Sequence, residues 1–127
     1  MRLLIDTHLL LWAANDTLPQ RAVSYFLNKE NELFFSSASI WEIVIKSGLN
    51  RPDFLVNPGT VYSGLLNNGY IELSITSYHT LLVDHLPLIH KDPFDRILIA
   101  QAKAEGLSLL SADKAVSQYS SVIYIGD

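Results

Sequence analysis

Five short runs, Arg2–Asp6, Glu32–Ser36, Tyr70–Ser74, Leu107–Leu110 and Val122–Ile125, carry strand character, and several are apolar without a break (Leu3-Leu4-Ile5, Leu33-Phe34-Phe35, Leu109-Leu110). A strand with one wet face alternates apolar and polar residues, so an unbroken apolar strand needs cover on both faces. Helical patterns separate the runs: Leu9–Ala14, Gln20–Asn28, Ser39–Ser47, Val61–Asn67, Ser77–Asp84, Pro93–Glu105 and a short one at Asp113–Gln118. Pro93–Glu105 is the best marked, with Asp92 as cap, Pro93 at its first position and Gly106 as its stop. Gly48 and Gly69 close two others, and Arg51–Pro58 reads as a loop. Alternating strands and helices predict an α/β domain with a mainly parallel sheet between two helical layers. With no linker, repeat or low-complexity tract, residues 1–127 read as one domain.

Apolar residues make up 49% of the chain, charged residues 17%, and cysteine is absent. These values suit a globular core, and the lack of cysteine excludes disulfides and thiolate zinc sites. Asp6 interrupts the apolar N-terminus and no run reaches the roughly 18 apolar residues of a membrane span, so a soluble cytoplasmic protein is expected. The net charge of -4 argues against tight non-specific binding of nucleic acid. It does not exclude a nuclease, because divalent cations held by clustered acids reverse the local sign.

In parallel sheets ligands sit beyond the carboxyl ends of the strands, and four acids fall where that rule directs. Asp6 ends the first strand, Glu42 lies a turn into the helix after the second, Asp95 opens the long helix, and Asp113 follows the fourth strand. Three of them have structural readings as well. Ser39 and Glu42 match a capping box, Asp95 suits the positive end of a helix dipole, and Asp113 fits a cap. Asp6 is harder to explain that way, since a carboxylate at the end of a buried strand costs several kcal/mol unless it is bonded. Four carboxylates without cysteine suit hard cations, Mg²⁺ or Mn²⁺.

The segments LLIDTHLLLW, SSASIWEIVIK, HKDPFDRILIAQAKAEG and LSLLSAD, in this order and at these separations, resemble a PIN domain along nearly the whole chain. The DPFDR segment resembles one branch of VapC-type toxins, the ribonuclease halves of bacterial toxin–antitoxin pairs. The resemblance implies a Rossmann-like α/β/α sandwich and a divalent-metal endoribonuclease that cleaves RNA with metal-activated water. It implies a homodimer and an antitoxin partner, and it places the catalytic and metal-binding acids at Asp6, Glu42, Asp95 and Asp113. Thr7 takes the family's small hydroxyl position, and Ser111 the hydroxyl two places before the last acid, where it would orient a ligand. Val116 replaces a common aromatic, and Asp92 competes with Asp95. The separation from Asp113 favours Asp95 and leaves Asp92 as the cap.

Arg96 and Lys91 are candidates for guiding RNA phosphates. Lys46 is another, although an ion pair with Glu42 explains it equally well. His8 lies nearest the acids, whereas His79, His85 and His90 read as surface or loop residues. Trp12 and Trp41 occupy helix positions expected to pack into a core or an interface. Trp12, Trp41 or the Arg51–Pro58 loop would then contribute to a partner surface. The alternatives are a housekeeping PIN nuclease, a PIN fold that binds without cutting, or another α/β enzyme such as an aspartyl phosphohydrolase. The last would want an acid where His8 stands. A receiver domain would want an acid pair at the first strand's end, which is missing.

Overall fold

The computed structural model describes residues 1–49 and 56–126, so the loop assigned to Arg51–Pro58 lies outside the described residues except for its last three. Five strands, β1 (Arg2–Ile5), β2 (Glu32–Ser36), β3 (Ile71–Leu73), β4 (Ser108–Ser111) and β5 (Val122–Tyr124), form one sheet in the order β3-β2-β1-β4-β5. Every neighbouring pair is parallel. The helices are α1 (Thr7–Ala14), α2 (Gln20–Leu27), α3 (Ser37–Ser47), α4 (Pro58–Asn67), α5 (Ser77–Val83) and α6 (Pro93–Glu105), with a 3₁₀ turn at Lys114–Val116.

Successive strand residues face opposite sides of the sheet and feed two cores. Leu3, Ile5, Phe35 and Leu110 face α1–α4, while Leu4, Phe34 and Leu109 meet apolar residues of α5 and α6. Both faces are covered, which is the reason the central strands lack polar alternation. Among the described residues no helix is long and apolar enough to cross a membrane.

Element boundaries depart from the sequence reading where caps decide them. α1 starts at Thr7, two residues early, because Asp6 caps it directly. α3 starts at Ser37 under a Ser36 cap, so the expected Ser39–Glu42 capping box does not form. α4 begins at Pro58, inside the expected loop, since Asn57 accepts from Thr60 N and Pro58 supplies the first helical position. The expected Asp113–Gln118 helix shrinks to Lys114–Val116, where Val116 is fully buried in place of the larger aromatic.

Candidate metal centre at the carboxyl edge of the sheet

The chain runs from β1 to β2 and β3 on one side of the sheet and to β4 and β5 on the other, so its direction reverses beside β1. A parallel sheet opens a crevice at such a point. Asp6 and Asp113 flank it. The Asp6 N–H donates to Leu110 O at 3.1 Å, extending the β1–β4 ladder one residue beyond the strand. Asp6 Oδ1 accepts from His8 N at 2.8 Å and caps α1, while Oδ2 accepts from Ser111 Oγ at 2.7 Å. The same Ser111 hydroxyl accepts from Asp113 N at 3.0 Å. One fully buried hydroxyl therefore ties the acid after β1 to the acid after β4. Asp113 Oδ1 caps the 3₁₀ turn through Ala115 N.

Asp95 comes from the first turn of α6. Asp92 does the capping, accepting from Phe94 N at 2.8 Å and Asp95 N at 3.4 Å, as its spacing suggested. The Asp95 carboxyl is thus spared from backbone bonding, and its Oδ2 lies 2.7 Å from His90 Nε2. Its pKa is raised from 3.8 to about 6, chiefly by burial, against the lowering bond from His90 and with smaller contributions from the charges of Asp6 and Asp92. A carboxyl raised by neighbouring acids marks a concentration of negative charge that a cation would relieve. One ligand atom each from His90, Asp95 and Asp113 lie within 4.8 Å of one another. This donor set, two carboxylates and an imidazole, fits a divalent cation, and Asp6 stands beside it through Ser111.

Glu42 is buried, but its charge is already matched by Lys46 Nζ at 2.8 Å, the helix-pair reading of that lysine. It is not part of the three-residue group. Thr7 Oγ1 donates to Ser39 Oγ at 2.8 Å, a buried link between α1 and α3. The exposed His8 imidazole is raised above its ordinary pKa, chiefly by its interaction with Asp6 and against the effect of partial burial.

Three expectations are corrected. Arg96 does not face a substrate: it is buried, and its guanidinium donates to Val83 O at 2.9 Å and to Pro87 O and His90 O at 3.1 Å. A guanidinium offers five fixed donors, and here they bind the end of α5 and the loop before α6. His79 is not a surface residue. It is 1% exposed, its Nδ1 accepts from Thr76 N to complete a capping box, and its Nε2 lies 2.8 Å from Glu105 Oε2. His90 is not a passive loop residue either, since it reaches Asp95. Trp12 is partly buried against the α1–α4 core, whereas Trp41 is 61% exposed and meets Phe94 edge-on at a centroid distance of 5.6 Å.

Sequence reasoning missed His90 and the residue that secures it, Tyr119. The Tyr119 hydroxyl accepts from His90 N at 3.0 Å and donates to Pro87 O at 2.8 Å. His90 precedes Asp95 by five residues across a capped helix start, a spacing without periodic meaning. Only the fold of the intervening loop brings the two together.

The PIN domain family model matches residues 3–121. The fold is similar to that in the crystal structure of VapBC2 from Rickettsia felis bound to a DNA fragment from their promoter. The TM-score is 0.73 at 15% identity, covering 99% of this chain and 98% of that one. It is also similar to DNA-bound VapBC from Salmonella typhimurium, with a TM-score of 0.70 at 14% identity over 98% and 96% of the two chains. FitAcB from Neisseria gonorrhoeae gives 0.63 at 18% identity over 89% and 88%. No curated protein sequence matches.

Proposed function

The chain belongs to the PIN-domain family, and on that premise we propose that it is a divalent-metal-dependent endoribonuclease acting as the toxin of a toxin–antitoxin pair. The observation that carries the nuclease reading is the meeting of Asp95, Asp113 and His90 within 4.8 Å at the switch point of the sheet, beside Asp6. Asp6, Asp95 and Asp113 would hold Mg²⁺ or Mn²⁺, with Glu42 at the margin of the site. When bound, such an ion supplies Lewis-acid stabilisation of a phosphate oxygen and a water of lowered pKa for attack at phosphorus. Ser111 keeps Asp6 and Asp113 in fixed relative position. The Asp92 cap leaves the Asp95 carboxylate free to bind. Thr7 acts through Ser39 to seat α3, and with it Glu42, against α1.

The toxin reading draws on the similarity to VapBC structures, in which such a fold is paired with a partner chain. Trp41, Val44, Ile45 and Leu49 are 61%, 47%, 40% and 60% exposed on α3 and just beyond it, an apolar face suited to an antitoxin or to a second copy in a homodimer.

Incubation of purified protein with RNA in Mg²⁺, Mn²⁺ or EDTA tests the nuclease. Cleavage should need metal and vanish in Asp113→Asn. A folded wild type inert in both ions would remove the reading. Induction without a partner should arrest bacterial growth, and Asp6→Ala should relieve the arrest. An active nuclease that leaves growth unaffected would point to a housekeeping enzyme.

A further inference from the structure

We infer that His90 is a nitrogen-donating ligand of the metal centre, added to its carboxylates, and that it biases the centre toward Mn²⁺ over Mg²⁺. The inference rests on the reading of Asp95 and Asp113 as metal ligands and adds a side chain that the four-acid pattern does not contain. Three observations carry it. His90 Nε2 stands 2.7 Å from Asp95 Oδ2, and a ligand atom of His90 shares the 4.8 Å group with Asp113. Neighbouring ligands around an octahedral ion with bonds of about 2.1 Å are about 3 Å apart, so the pair is already near the separation that an ion between them requires.

Secondly, the position of His90 is built rather than incidental. Its backbone is held at both polar groups: the N–H by the Tyr119 hydroxyl, the carbonyl by Arg96. Arg96 is buried and makes no ion pair among the described residues; its guanidinium is spent on backbone carbonyls and on Tyr119 Oη at 3.4 Å. Burying a cation to order one loop is costly, and the ordered loop delivers His90 to the acids. Thirdly, Glu42 is neutralised by Lys46, so the side of the centre near α6 holds the donors not tied to a cation. A neutral imidazole there adds a ligand without adding negative charge. Nitrogen is a poor ligand for Mg²⁺, which prefers oxygen and retains water, and a better one for Mn²⁺ and later ions.

The test is pulsed electron paramagnetic resonance of the Mn²⁺-loaded protein, with calorimetry of Mn²⁺ and Mg²⁺ binding. Wild type should show the modulation of a directly bonded nitrogen. His8→Gln should keep it, and His90→Gln should lose it, with Mn²⁺ affinity falling at least about tenfold and Mg²⁺ affinity less. A His8→Gln, His85→Gln background, which leaves only His90 and the buried His79, carries the same test without altering the loop ligand. Mn²⁺ that binds wild type and is lost in Asp95→Asn, but shows no nitrogen coupling, would overturn the inference and leave the carboxylate centre standing. Coupling that survives His90→Gln would overturn it too. A wild type that takes up no Mn²⁺ would remove the centre itself and the inference with it.

Discussion

Glu42 and Asp95 both enter the carboxyl edge of the sheet from helices, one on each face, and they end in opposite electrical states. On α3, Lys46 lies one turn beyond Glu42 and closes an ion pair at 2.8 Å. On α6, the residue one turn beyond Asp95 is the buried Ile99, and the adjacent cation, Arg96, turns away into the loop. The Asp95 carboxyl is left with burial and two neighbouring acids, which lift it to about 6. Compensation on a single helix is local and always available; an acid without it must find its partner elsewhere, in a proton, in His90 or in a cation. The α3 side is therefore electrically closed and the α6 side open.

That contrast makes Asp95→Asn the substitution of largest effect. It should lower metal-dependent cleavage by a factor of about a hundred or more, as loss of a group stabilising developing charge does elsewhere. It should also stabilise the metal-free protein at neutral pH. The folded pKa of about 6 lies above the ordinary 3.8, so the group favours folding below about pH 4, and that contribution is lost as pH rises through 6. The difference amounts to at most about 3 kcal/mol. Melting curves in EDTA between pH 4 and 7.5 should show this slope in wild type and not in the variant. Equal slopes would mean that Asp95 is compensated after all.

Arg96→Ala comes next, at about 2–4 kcal/mol of stability, because two loop carbonyls and that of Val83 at the end of α5 lose their donor and a buried side chain is removed. Denaturant titration measures that loss. The salt dependence of RNA binding should stay unchanged, since the buried guanidinium is already bonded to backbone carbonyls. A shallower salt slope would restore the guiding role expected from sequence.

Asp92→Ala should cost about 1 kcal/mol through the lost cap while most activity remains. Urea titration and an activity assay on the same preparation separate it from Asp95→Asn. Lys46→Gln has the smallest expected effect, about 0.3–0.5 kcal/mol of stability. Its interest lies in metal binding, which should tighten by about twofold as Glu42 is freed. Unchanged binding would place Glu42 outside the centre altogether.

Much of the fold was legible because its signals are local. Leu3-Leu4-Ile5 reads as a doubly covered strand, and Asp92-Pro93 with Gly106 brackets α6 at both ends. The cap role of Asp92 was readable for the same reason. Other expectations failed where two caps competed. Ser36 and Ser39 are both candidate caps for α3, and nothing in the chain says that Ser36 takes the role while Thr7 claims the Ser39 hydroxyl from another helix. Arg96 misled in the same way. Its place beside Asp95 suggested a phosphate partner, but a helix turns consecutive residues about 100° apart, so the neighbour of an edge residue faces inward.

The sequence by itself determined that Asp6, Asp95 and Asp113 would stand at strand ends and a helix start, because hydrophobic runs and caps are set by residues a few positions apart. It determined the Glu42–Lys46 pair too, as helix pitch alone places one over the other. Only the tertiary structure decided that β1 and β4 would lie side by side, so that Ser111 could join Asp6 to Asp113. It also decided that Arg96 and Tyr119 would fold the loop before α6 and bring His90 against Asp95. Those contacts join residues far apart in the chain or across an irregular loop, where no periodicity operates and only the packing of both faces of the sheet sets the distance.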